Sequence, residues 1–155
     1  MTIAEEKQEL RRRVRALERT LSPRYKARSD AAIAAAVCAL PDYQEAETIF
    51  CFAGTEREID TGAILRDALA RGKRLCLPRC TVEPGVMELR AVSSLDRLAP
   101  GAYGILEPDA DCPVLTPDEV DFALIPCVSC TRSGHRLGQS GGYYDRFLSA
   151  YRASA

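Results

Sequence analysis

From Arg136 to Arg146 the chain reads RLGQSGGYYDR, three glycines and two small or neutral polar residues set between arginines and leading at once into a carboxylate. Glycine lets backbone amides approach an anion, a helix start adds partial positive charge, and guanidinium groups neutralise phosphate oxygens. Arg136 and Arg146 with Gly138, Gly141 and Gly142 therefore outline a phosphate cradle. Asp145 stands at its rim, placed to hold a magnesium ion bridging the phosphates. Glycines mark ordinary tight turns equally well, so on these residues alone a cradle and a plain turn are even alternatives.

Other residues invite a chemical reading beside a structural one. Lys7 and Arg11 lie one helical turn apart in a basic run, a spacing that suits a solvated helix face as well as two cations aimed at a charged ligand. Glu58 and Asp60 precede a helical pattern, where the dipole favours carboxylates; capping describes Asp60 better than Glu58. Cys127 and Cys130 form a CxxC, and with Cys76 and Cys80 they supply thiols for a zinc site or a redox pair. The three residues between Cys76 and Cys80, and the buried strand pattern around Cys76, favour packing thiols instead. His135, the one histidine, is read as loop filler rather than an acid–base group. Tyr143 and Tyr144 at a helix start suit core packing with a hydroxyl at the edge as well as a ligand wall.

The elements that must position these groups follow from periodicity. Leu10, Val14, Leu17 and Leu21 recur at helical spacing and predict an amphipathic first helix whose apolar stripe docks on the protein. Ser22 followed by Pro23 starts a second helix, with Ile33, Ala36, Val37 and Leu40 on one face up to Pro41. The run from Thr48 to Ala53 lacks alternation and suits a central strand covered on both faces. Asp60 and Thr61 cap a helix carrying Ile64, Leu65, Ala68 and Leu69, which Gly72 terminates. Leu75 to Leu77 resumes as a strand that Pro78 stops, completing a βαβ unit whose ligands gather at the carboxyl ends of the strands. Met87 to Val92 is a further strand, Ser94 to Leu98 a short helical turn, and Pro100 to Pro117 mostly loop. Phe122 to Pro126 is the next buried strand. The loop from Cys127 to Gly142 then feeds a last helix with Phe147, Leu148 and Tyr151 on one side.

The 155 residues, 46% of them hydrophobic, make one core and one domain the expectation. No apolar run spans a bilayer and the segment from Glu5 to Arg15 is charged, which predicts a cytoplasmic protein with no membrane partner. Seven scattered cysteines predict reduced thiols. The balance of 21 basic against 22 acidic residues argues against a general nucleic-acid binder.

RLGQSGGYYDRFL, from Arg136 to Leu148, resembles the signature R-L-G-x-G-x-G-Y-Y-D-R-x-L of the 5-formyltetrahydrofolate cyclo-ligase (methenyltetrahydrofolate synthetase) family. Lys7, Leu10 and Arg11 match its N-terminal K-x-x-L-R, and Glu58, Asp60 and Thr61 match its E-x-D-T. Pro78 with Arg79, Glu107 with Pro108, and Pro126 follow in family order. The resemblance implies a single open α/β domain, a mostly parallel sheet with helices on both faces like that of phosphosugar isomerases and CoA transferases. It also implies a carbon–nitrogen ligase with ATP as co-substrate and Mg2+. Lys7, Arg11 and Arg136 would be the catalytic cations. ATP would contact Lys7, Arg11, Arg136, Leu137, Gly138, Gln139, Ser140, Gly141, Gly142, Tyr143 and Tyr144. Glu58, Gln139, Gly142 and Tyr143 would line the folate pocket, and Asp145 would bind the metal. In that chemistry the formyl oxygen is phosphorylated, the second folate nitrogen attacks the activated carbon, and phosphate leaves as the ring closes, so no protein nucleophile is required.

The pattern departs from the family in three places. Ser140 stands where the middle glycine belongs, and a β-carbon there narrows the cradle or resists a positive φ, although its hydroxyl can donate to phosphate. Gln139 replaces a larger aromatic or basic residue. The family continues for some tens of residues past the last helix, so the resemblance implies a shortened C-terminus with an uncovered sheet edge or apolar face, and a monomer or weak homodimer. Two further readings compete: a relative that binds nucleotide or folate without turnover, and an unrelated isomerase or transferase on a similar scaffold.

Overall fold

The structure of the chain, a computed structural model, describes the backbone of residues 1–154 and the side chains of residues 1–151. Local signals set the first helices. In α1 (Ile3–Glu18) Thr2 and Glu5 exchange side-chain and backbone hydrogen bonds as a capping box. In α2 (Pro23–Ala39) Ser22 accepts from the Tyr25 amide at 3.1 Å and Pro23 takes the first turn, as its missing N–H allows. A short α3 (Pro41–Glu45), not foreseen, follows.

β1 (Thr48–Phe50), α4 (Gly62–Ala70) and β2 (Arg74–Cys80) form the expected βαβ unit, with β1 and β2 parallel. Asp60 accepts from the Gly62 amide at 2.9 Å at the start of α4, and Gly72 ends the helical segment at φ +72°. β3 (Met87–Val92) pairs antiparallel with β2, β6 (Val114–Leu115) antiparallel with β3, and β7 (Phe122–Ala123) parallel with β1. The sheet order is β6-β3-β2-β1-β7. Four of these strands run the same way and only β3 is reversed, so the expected open, mostly parallel sheet is present. Two short hairpins stand apart from it as two-stranded sheets, β4 (Leu98–Pro100) with β5 (Leu106–Pro108) and β8 (Ser129–Cys130) with β9 (Arg136–Leu137), ahead of α5 (Tyr143–Ser154).

Alternate residues of the central strands face opposite layers. Ile49, Cys51, Leu75 and Leu77 pack with Val37, Ile64, Leu65 and Ala68 of α2 and α4. Phe50 and Cys76 point the other way with Leu89 and Phe147, and the Phe50 and Phe147 rings stack at 4.7 Å. Helices therefore cover both faces.

Four expectations fail for identifiable reasons. Pro78 does not stop β2, which continues to Cys80. Pairing with β1 ends at Phe50 opposite Cys76, so Pro78 lies where β2 has one neighbour and can spare an N–H. Most of the stripe of α1 does not dock: Leu10, Leu17 and Leu21 are exposed and Val14 is half-buried, while the buried residue of α1 is Arg11. The buried face of α2 is centred on Ala34 and Val37, with Ala36 and Leu40 turned to solvent. The strand foreseen from Phe122 to Pro126 is two residues long and half-buried, because β7 is the edge of the sheet.

Candidate active site

The loops leaving the carboxyl ends of β1, β2 and β7 converge, and the glycine stretch occupies their centre. Thr61, only 1% exposed, holds the loop after β1 in shape, donating to the Phe52 carbonyl at 2.7 Å and accepting from the Gly54 amide at 3.1 Å. Within that loop Glu58 accepts from the Thr55 amide and hydroxyl at 3.2 and 3.0 Å. The loop after β7 turns back as the β8–β9 hairpin, which delivers Arg136 and Leu137 to the start of the glycine stretch.

Arg136 is a half-buried cation held from several sides. It donates to the Pro126 carbonyl at 3.1 Å and to Asp145 at 2.7 Å, and its guanidinium lies 6.0 Å from the Tyr144 ring centroid. Its Nε is buried without a hydrogen-bond partner, a state that costs on the order of 1–3 kcal/mol unless an acceptor arrives. Leu137 takes part in the ladder, its carbonyl accepting from Val128 at 2.7 Å. The loop beyond β9 is fastened from the other side by α1. Arg11 donates from Nε to the Gly138 carbonyl at 2.8 Å, and Arg15 donates to the Gln139 amide oxygen at 2.9 Å. Gln8 steadies Arg11 at 3.2 Å. Lys7, on the same helix face, is exposed and makes no bond to the loop.

Ser140 has φ +89° and Gly142 φ +74°, so the family's middle glycine position does require the conformation that a β-carbon resists. Gly141 lies so close to Tyr143 that an added Cβ would stand 2.8 Å from its ring. The stretch runs straight into the N-terminus of α5, whose dipole favours an anion there. Burial, then the nearby Glu58 carboxylate, push the Tyr144 hydroxyl up, so it stays protonated. The same proximity shows that Glu58 and Arg136 share the Tyr144 neighbourhood.

Five contributors were not assigned to this site from the sequence. Gly85, in the β2–β3 turn, has φ +77° and leaves room for the Arg146 guanidinium, whose Nη1 would be 1.7 Å from a Cβ there. The Tyr143 hydroxyl lies against the Gly85 backbone, Tyr103 and Cys80. Glu107, 7% exposed, accepts from the Cys80 amide at 3.2 Å and, with Arg79 donating to the Pro108 carbonyl at 2.7 Å, seats the β4–β5 hairpin on the end of β2. Arg15 was within reach of the sequence, since it continues the face of Lys7 and Arg11 by one more turn. Gly85, Tyr103, Cys80 and Glu107 come together only through tertiary contact. His135 is a turn residue bonded to Ser133 at 3.0 Å.

The residues fit a nucleotide and its metal. An orphaned Nε, a loop of close-packed glycines and a helix start suit phosphate oxygens. Among the described residues no group of three or more His, Cys, Asp and Glu could hold a metal ion. Asp145, its side chain 81% exposed with one oxygen on Arg136, suits an ion that keeps water and phosphate oxygens as its other ligands, the habit of magnesium.

Residues 3–155 match the model of the 5-formyltetrahydrofolate cyclo-ligase family. The chain belongs to this family. It is 29% identical over 99% of its length to the mitochondrial 5-formyltetrahydrofolate cyclo-ligase of Arabidopsis thaliana, and 29% identical over 96% to a probable 5-formyltetrahydrofolate cyclo-ligase of Caenorhabditis elegans. The solution structure of Aquifex aeolicus 5,10-methenyltetrahydrofolate synthetase superposes on 93% of the chain with a TM-score of 0.79 and 32% identity. This chain spans 61% of the Arabidopsis cyclo-ligase, 75% of the nematode protein and 72% of the Aquifex synthetase. No helix among the described residues is long and apolar enough to cross a membrane.

Proposed function

We propose that this chain is a 5-formyltetrahydrofolate cyclo-ligase that uses ATP and magnesium to close 5-formyltetrahydrofolate to 5,10-methenyltetrahydrofolate, releasing ADP and phosphate. The observation that carries the reading is the Arg11–Gly138 contact, which docks the N-terminal cations on the glycine stretch across 127 residues of sequence. In this reading the formyl oxygen takes the terminal phosphoryl group, the second nitrogen attacks the activated carbon, and phosphate carries the oxygen away. The chain's own residues position and neutralise. Arg136 presents its unpartnered Nε to a phosphate oxygen. Lys7 and Arg11 face charge on the transferred group, Lys7 from an exposed side chain free to swing in. Amides from Gly138 to Tyr144 line the phosphates. Tyr143, Gly142, Glu58 and the amide nitrogen of Gln139 border the folate, the Gln139 oxygen being held by Arg15. Asp145 is the protein ligand of a magnesium ion that neutralises phosphate charge.

The test is the absorbance rise of methenyltetrahydrofolate from 5-formyltetrahydrofolate, with and without ATP and magnesium, beside Asp145→Ala. An ATP-dependent rise, lost in the variant, is expected. Its absence from folded protein would overturn the reading. The positive φ of Ser140 favours one alternative, a family member that binds nucleotide without turnover; nucleotide affinity with no methenyl product would select it.

A further inference from the structure

Cys127 and Cys130 flank the two structures that hold Arg136. Cys127 directly follows Pro126, whose carbonyl accepts from Arg136. Cys130 stands opposite Arg136 in the β8–β9 ladder. The two thiols lie three residues apart at the head of β8, and both Cys130 and the Arg136 guanidinium act electrostatically on Cys127. Both are free, with Cys127 half-buried and Cys130 exposed. No third ligand joins them among the described residues, which sets a metal aside. We propose that Cys127 and Cys130 are a redox pair that closes to an intramolecular disulfide, and that closure pulls Arg136 out of the phosphate cradle.

The oxidant is a peroxide. The Cys130 sulfur attacks the peroxide, cleaving its O–O bond to give a sulfenic acid and one water or alcohol. The Cys127 sulfur then displaces the sulfenic oxygen, which leaves as water with the Cys127 proton, so two thiols lose two electrons to one peroxide. Exposure places Cys130 first. Burial, together with the neighbouring Cys130, holds Cys127 as the thiol until its partner is oxidised. Two free thiols must draw closer to bond, since the S–S bond is about 2.05 Å long. Across a four-residue segment that movement falls on the Pro126 carbonyl and on β8, two of the supports of Arg136 beside its ion pair with Asp145. Cys51 and Cys76 do not compete, since burial in the sheet pushes each thiol up to about 12.

This inference rests on Arg136 being a phosphate ligand, and the experiment separates the two. The reduced chain, the peroxide-treated chain and the variants Cys127→Ser and Cys130→Ser are compared by peptide mass mapping, by titration with a fluorescent ATP analogue in magnesium, and by hydrogen exchange of residues 136–142. A 127–130 disulfide with about tenfold weaker nucleotide binding, the scale of one charge-assisted hydrogen bond, reversed by a dithiol and absent from both variants, is expected. Oxidation of other cysteines while these two stay thiols would overturn the proposal, as would a disulfide that changes neither affinity nor exchange. If the reduced chain binds no nucleotide, the cradle reading fails. Exchange alone then decides whether the disulfide reshapes the hairpin.

Discussion

Ser140→Gly should strengthen both the fold and the cradle. Ser140 holds φ +89° between Gln139 and Gly141, with its side chain exposed and no hydrogen bond to the protein. A β-carbon in that region costs about 1–2 kcal/mol, and glycine removes the strain. The freer unfolded chain takes back about 0.4–1 kcal/mol. The balance is a gain of roughly 0.5–1 kcal/mol, which for a chain of this size raises Tm by about 1–4 °C. Strain also favours loop conformers in which residue 140 abandons positive φ, and those lack the cradle. If they are populated, nucleotide affinity rises with the competent fraction, by up to about fivefold for that energy. The assay pairs thermal unfolding with titration of an ATP analogue, with Ser140→Ala as the control that keeps the β-carbon and drops the hydroxyl. A lower Tm in Ser140→Gly would refute the strain argument. Weaker binding in both variants would instead assign the hydroxyl a bond to phosphate that outweighs the strain.

Arg11→Met should weaken ATP-analogue binding by about tenfold or more and lower Tm, since it removes a charge-assisted hydrogen bond worth about 1.5–3 kcal/mol from the Gly138 carbonyl; titration and calorimetry check it, and an unchanged affinity would detach α1 from the site. Gly85→Ala puts a β-carbon at φ +77° against the Arg146 guanidinium and the Gly141 carbonyl, and should cost about 1–2 kcal/mol in urea unfolding while raising the KM for the folate more than that for ATP. Asp145→Asn should leave stability within about 1 kcal/mol, because its ion pair with Arg136 is solvated, yet shift the magnesium concentration needed for nucleotide binding upward. In Cys51 and Cys76 burial raises the thiols to about 12, so their stability contribution is complete below the unfolded thiol pKa and lost as pH climbs from there towards 12. The unfolding free energy from urea titration should fall over that window by up to about 1.4 kcal/mol per pH unit per thiol, and Cys51→Ala should flatten the slope.

What the sequence made legible was local or repeated. Ser22 and Pro23 encode the start of α2 within two residues, and the apolar runs at Ile49 and Leu75 encode strands buried on both faces wherever the rest of the chain lies. The glycine stretch was legible as chemistry because backbone approach to an anion demands that residue type. What stayed hidden depends on how many neighbours a residue acquires. Proline forbids a ladder bond only where a second strand wants one, and at Pro78 none does, because β1 ends early. The β4–β5 and β8–β9 hairpins are too short to carry a period.

The α1 helix is the instructive miss. A stripe at Leu10, Val14, Leu17 and Leu21 predicts apolar docking, but only Val14 is even half-buried, while Arg11 is buried with a hydrogen bond to a carbonyl 127 residues away. Hydropathy cannot register such an attachment, because the partner is a backbone atom that every residue carries. The attachment is therefore polar and directional, and it ties the helix to the one loop that must hold its shape. A helix fastened through an apolar stripe could slide or rotate at little cost. One held by Arg11 and Arg15 on consecutive turns loses both hydrogen bonds if it shifts, so the placement of Lys7 depends on the same loop geometry that shapes the cradle. Arg11→Lys tests this: one charge is kept, the Nε donor is lost, and the drop in nucleotide affinity should approach that of Arg11→Met. Wild-type affinity in Arg11→Lys would show that charge alone suffices.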